Sequence, residues 1–148
     1  MRLPRLVLVV FLAALLLPLS LVPALAGEEP AAMAAEARKL FAQSDYSAAL
    51  EIWRALISEN KKHPIVEDGD AHQGAAACLL KRGEHAEAAK TLASYLKSHA
   101  KGKGAFDAYK GIFDVWVEAG DEKKAQKAGK AVFKRYPDDK GTFSVLMT

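Results

Sequence analysis

A single cysteine, Cys78, is all that 148 residues provide. No intramolecular disulfide can form, so stability must come from a packed core. Enzymatic signatures are absent as well. The sequence has no Gly-x-Ser-x-Gly, no His-Glu-x-x-His and no glycine-rich phosphate loop, which removes the familiar nucleophile, zinc and nucleotide arrangements. The four histidines, His63, His72, His85 and His99, share no ligand spacing. β-Branched residues are sparse and no stretch sustains strand alternation, which argues against a sheet. With 51% hydrophobic and 26% charged residues, neither a disordered tail nor a fibre fits. What remains is a helical globular chain rich in Ala, Leu, Lys and Glu.

The first residues stand apart from the rest. Arg2 and Arg5 are the only charges before Glu28, and an apolar run follows from Leu6 to Val22, interrupted by Pro18 and Ser20. Ala24 and Ala26 then make an Ala-x-Ala site. A basic start, an apolar stretch and small residues at those two places are the parts of a secretory signal peptide. Cleavage is expected between Ala26 and Gly27. The expected divisions are a signal peptide over 1–26, a helical domain over 27–137 and a tail over 138–148. An exported protein, periplasmic or secreted, follows from this. The alternative is an uncleaved N-terminal anchor, for which the 17 residues from Leu6 to Val22 are barely long enough. Residues 27–148 carry 19 basic against 18 acidic groups. That near-neutral balance, with export, argues against nucleic acid as a partner. The charge is nevertheless separated: residues 27–89 hold 7 basic and 11 acidic groups, and residues 90–135 hold 11 basic and 5 acidic.

Helical periodicity runs through the remainder. Ala49, Ile52, Trp53 and Leu56 form one apolar stripe; Phe106, Tyr109, Phe113, Trp116 and Val117 form another; Ala125, Ala128, Val132, Phe133 and Tyr136 form a third. Gly83 and Gly120 follow apolar runs, where a left-handed residue ends a helix. Asp121 can cap the helix after Gly120, and Asp70 with Gln73 reads as a capping box. Lys61 to Gly69 and Lys101 to Gly104 read as flexible connectors. Six helices are expected, over about 30–43, 46–60, 70–82, 85–99, 105–119 and 122–136. The tail ends in Phe143, Val145, Leu146 and Met147, and is expected to fold back onto the last helix.

Three segments repeat one another. Ser44, Gly83 and Gly120 are small residues; each is followed by an acid, Asp45, Glu84 or Asp121, and then by an alanine, Ala49, Ala88 or Ala125. The acid opens the second helix of a hairpin, and the alanine lets the two helices approach closely. This pattern resembles the tetratricopeptide repeat family, whose helix-turn-helix units stack into a solenoid. In the family's first helix the small position corresponds to Ala37, Ala76 and, against pattern, Phe113. The large position corresponds to Leu40, Leu79 and Trp116. The aromatic after the acid is Tyr46, replaced later by His85 and Glu122. The large residue of the second helix is Trp53 and Leu92, but Gly129 in the third unit. Pro137, in Arg-Tyr-Pro-Asp, is similar to the ending of periplasmic members. The spacings of 39 and 37 residues exceed the family's roughly 34. The resemblance implies an all-α fold: about three antiparallel hairpins stacked as a short solenoid. An irregular helical bundle is the alternative.

The resemblance also implies a function. The first helices would line a concave groove for a partner's peptide or helix, at Arg38, Phe41 and Ala42, at Gln73, Ala77, Leu80 and Lys81, and at Lys110, Asp114, Val117 and Glu118. The protein is then an adaptor or scaffold in the cell envelope, without catalysis and without a cofactor. Lys123, Lys127, Lys130 and Lys134 form a basic stripe that suits either an anionic partner or a solubilising outer face. Cys78, among alanines, reads as a buried structural thiol, with pairing to another molecule as its alternative. Asp68, Asp70 and His72 are the one local group able to suggest a metal-dependent or other enzyme; a solvated loop with Asp70 capping a helix is the simpler reading.

Overall fold

A computed structural model describes residues 29–139. The expected signal peptide, its cleavage site and nearly all of the tail lie outside them. Among the described residues there are seven helices and no strand: α1 (Pro30–Ala42), α2 (Tyr46–Glu59), α3 (Pro64–Glu67), α4 (Asp70–Lys81), α5 (His85–His99), α6 (Ala105–Glu118) and α7 (Glu122–Arg135). None of these helices is long and apolar enough to cross a membrane.

Three hairpins, α1/α2, α4/α5 and α6/α7, follow one another. Each long helix packs on the next in the chain, and the first helices also touch, α1 on α4 and α4 on α6. The turns explain why the hairpins form. Ser44, Gly83 and Gly120 all adopt a left-handed backbone, with φ of 64°, 76° and 68°. After each, the acid's N–H donates back to a carbonyl of the first helix: Asp45 to Leu40 at 2.9 Å, Glu84 to Leu79 at 2.8 Å and Asp121 to Trp116 at 3.0 Å. This is the six-to-one bond of a helix ending in a left-handed residue. Ser44 does without glycine's freedom there. Asp45 and Asp121 then cap α2 and α7, accepting from the Ala48 N–H at 3.1 Å and the Lys124 N–H at 3.0 Å. Glu84 holds the same place without capping, because Arg82 takes its carboxylate at 2.7 Å.

The alanines do what their spacing implies. Ala49 and Ala88 are fully buried and Ala125 nearly so, at the contact between paired helices. One continuous core joins Leu50, Trp53, Leu56, Leu79, Leu92 and Tyr95 across the first two hairpins and reaches Val115 of α6. A smaller cluster of Phe113, Ala125 and Val132 sits inside the third. Phe133, counted above with an apolar stripe, does not join it and is 47% exposed.

The connectors differ from expectation. Lys61 to Gly69 contains α3, started by Pro64 at its first position, with His63 Nδ1 accepting from the Ile65 N–H at 3.3 Å. Asp70 is not a cap. Gly69, left-handed at φ 94°, precedes α4 and no side chain caps it. Lys101 to Gly104 is not loose either. Gly104 is buried, and a Cβ on it would collide with the carbonyl oxygen of Asp68. Lys103 pairs with the Asp68 carboxylate at 3.0 Å. The Tyr95 hydroxyl, on a side chain that is 1% exposed, donates to the Glu67 carbonyl at 2.9 Å. The two connectors are therefore clasped together over α5. Gly104→Ala is expected to open this clasp and to lower stability by about 2 kcal/mol, because backbone rather than a mobile side chain must yield. Urea titration checks it; an unchanged midpoint would refute the close approach.

Candidate functional site

The first helices α1, α4 and α6 line one face of the stack. Between α1, α2 and α4 lies a hollow of about 320 Å3, bounded by Arg38, Phe41, Trp53, Asp70, Gln73, Gly74 and Ala77. A second hollow of about 320 Å3, between α4 and α6, is bounded by Gln73, Ala77, Leu80, Leu92, Lys110, Gly111 and Asp114, among others. Gln73 and Ala77 belong to both, so the two form one cleft crossing three helices.

Its chemistry is mixed. Trp53 forms an apolar floor, and the Arg38 guanidinium lies 5.6 Å from the centre of its ring, close enough for a cation–π contact. Lys110 and Asp114, one turn apart on α6, pair at 2.6 Å. Such an arrangement offers an apolar strip flanked by charges of both signs, with exposed hydrogen-bonding groups and no activated nucleophile.

Of the positions carried over from the repeat resemblance, the structure brings Arg38, Phe41, Gln73, Ala77, Leu80, Lys110 and Asp114 to this cleft. It does not bring Ala42, Lys81 or Glu118, which are exposed and sit in the last turns of α1, α4 and α6, where each helix enters its hairpin turn. Val117 lines a different groove, on the far side of the third hairpin. Sequence reasoning missed Trp53 and Gly74 as parts of the cleft. The available signal was a glycine inside an alanine-rich helix, which marks close packing.

Lys123, Lys127, Lys130 and Lys134 are all exposed along α7. Asp68, Asp70 and His72 are not gathered. Asp68 faces Lys103, Asp70 borders the cleft, and His72 is buried at 7% exposure beside the Tyr95 ring, 5.3 Å between centroids. Among the described residues no cluster of three or more His, Cys, Asp or Glu could hold a metal. Burial, with the nearby His99, pulls the His72 pKa down to about 4, so its ring is neutral in the folded protein. Cys78 is fully buried, and burial pushes its thiol up. That leaves it protonated, packed and inaccessible to a partner thiol.

A stack of antiparallel hairpins with a shared concave face defines an α-helical repeat protein. Residues 40–108 match the family model described as tetratricopeptide repeat. The match runs from the last turn of α1 through the opening of α6, including the central part of the cleft. Tetratricopeptide repeats generally mediate contacts between proteins and are typically non-catalytic. Comparison with curated proteins returns no match.

Proposed function

We propose that this chain is an exported adaptor that holds a partner protein's extended peptide or helix in the cleft of α1, α4 and α6. The observation carrying this reading is the continuity of the cleft: Gln73 and Ala77 join an aromatic floor at Trp53 to the Lys110–Asp114 pair. A preformed helical surface loses little ordering entropy on binding, and an apolar strip with flanking charges suits helix or strand recognition. Export through residues 1–26 places the partner in the cell envelope or outside the cell. Catalysis has no part in this reading.

A photocrosslinking residue at Gln73 should capture one discrete protein in cells, and the same probe at Lys127, on the outer face of α7, should not. Lys110→Glu should weaken the isolated complex about tenfold, as expected for one flanking charge pair reversed. Capture from Lys127 alone would move the interaction to the basic stripe and refute the cleft. The stripe supports a second, separable contact with an anionic partner, because its four lysines stand exposed on one side of a single helix.

A further inference from the structure

The third hairpin carries a hollow that the cleft does not use. It has a volume of about 740 Å3 and lies between the connector after α5, the start of α6 and the end of α7. None of its lining residues belongs to the cleft. Small-molecule sites run from roughly 300 to 1,000 Å3.

One wall is aromatic. Phe106 and Tyr136 meet edge to face, with ring centres 5.1 Å apart at 87°, and Tyr109 lies 6.1 Å from Tyr136. All three are half-buried, so each contributes exposed ring surface to the hollow.

The rim is cationic. Lys101, Lys103, Lys134 and Arg135 border the hollow, and none of its lining residues is acidic. Lys103 is engaged by the Asp68 carboxylate at 3.0 Å. Lys101 and Lys134 are exposed and pair with no carboxylate among the described residues. Other lysines differ: Lys39, Lys90 and Lys110 each lie against an acid one turn away on their own helix. Unpaired like charges gathered around one apolar wall repel one another and raise the local concentration of anions.

The rim is also held in place. The Gly102 N–H donates to the His99 carbonyl at 2.9 Å, and the Gly102 carbonyl accepts from the Ala105 N–H at 3.0 Å. The connector that carries Lys101 is thereby fixed on one side of Gly102, and the Lys103–Asp68 pair fixes it on the other. From α7, Arg135 Nη2 donates to the Ala100 carbonyl at 3.1 Å, and the guanidinium stands 5.5 Å from the centre of the Tyr109 ring. That contact uses one corner of the guanidinium and leaves its other N–H groups for a ligand.

We propose that this hollow binds a phosphate monoester, with the phosphoryl oxygens on Lys101, Lys134 and Arg135 and the ester's apolar group on the aromatic wall. A phosphoryl group carries close to two negative charges at neutral pH and three acceptor oxygens, which answers three cationic donors. A carboxylate, with one charge and two oxygens, leaves a cation unsatisfied. The ester is free in solution or carried on a lipid headgroup, and the chemistry at the rim is the same for both.

Calorimetry on the full chain tests this, with phenyl phosphate as the probe and the ring resonances of Tyr109 and Tyr136 as a second readout. Phenyl phosphate should bind and shift both rings. Lys101→Gln and Lys134→Gln, at exposed positions, should each weaken binding about tenfold, as expected for losing one hydrogen bond to a charged group. Lys62→Gln removes the same charge from the exposed connector after α2 and should leave affinity unchanged. Phosphatidylcholine vesicles with and without phosphatidic acid form the other arm. Binding that needs phosphatidic acid and Lys101, without binding of phenyl phosphate, supports the rim and assigns the ester to a lipid. Equal affinity for inorganic phosphate and phenyl phosphate would remove the aromatic wall from the site and overturn the monoester. Equal weakening by Lys62→Gln, or no binding in either arm, would overturn the site itself.

Discussion

Replacing Trp53 with alanine should remove about 4 kcal/mol of folding stability, within the range for deleting a buried aromatic. The indole is 3% exposed and lies where α1, α2 and α4 meet. Gly74 shows how closely the site is fitted, since a Cβ there would collide with the indole ring. The Arg38 guanidinium covers the same ring from α1. Removing the ring leaves a cavity that three backbones cannot close, because Gly74 supplies no side chain to fill it. Domains of this size hold roughly 5–15 kcal/mol in all, so the variant should unfold at a much lower urea concentration. Trp53→Phe keeps a ring and should lose about 1–2 kcal/mol. Equal midpoints for the alanine variant and the parent would show that the first two hairpins do not depend on this contact.

Acid should destabilise the fold through His72, by about 3 kcal/mol between pH 6.5 and pH 4. The sign follows from proton uptake. Folded His72 titrates at about 4 against an ordinary 6.5. Below 6.5 the unfolded chain gains a proton that the folded chain refuses. Stability is therefore complete above pH 6.5 and is lost as pH falls towards 4. The cause is geometric: His72 is buried against Tyr95, with His99 stacked on the same ring at 5.0 Å, and Nδ1 of each histidine finds no hydrogen-bond partner among the described residues. Urea titrations at pH 7 and pH 4.5 measure the loss. His72→Phe should remove most of it, which separates this histidine from the carboxylates that also titrate in acid. A parent protein whose stability stays flat across this range would refute the assignment.

Hairpin architecture was readable because its signals are local. A small residue, then an acid, then an alanine four residues on specify a left-handed turn, a helix start and a close crossing, and each appears where the three segments place it. Helix ends fell within one residue of expectation for the same reason. The connectors were not readable, since proline, glycine and lysine describe a turn equally well whether it is loose or clasped. Their order depends on Tyr95, 28 residues from the carbonyl it meets. The cleft was read in part. Periodicity located Gln73 and Lys110 on first helices, but it cannot report that Lys81 and Glu118 lie in the last turns, beyond the cleft. Nor can an apolar stripe say whether a neighbour covers it. Phe113 and Phe133 look alike in sequence, yet one is buried and the other exposed.

The clasp of the two connectors bears on how the molecule comes apart. In an array held only by nearest-neighbour contacts, the end units fray independently and unfolding proceeds stepwise. Here Lys103, at the entrance to the third hairpin, grips Asp68, at the exit from the first, and Tyr95 of the second bonds the same strip of backbone. Releasing α6 therefore also loosens the segment that joins α2 to α4. The three hairpins are therefore expected to unfold as one cooperative unit rather than to fray one by one.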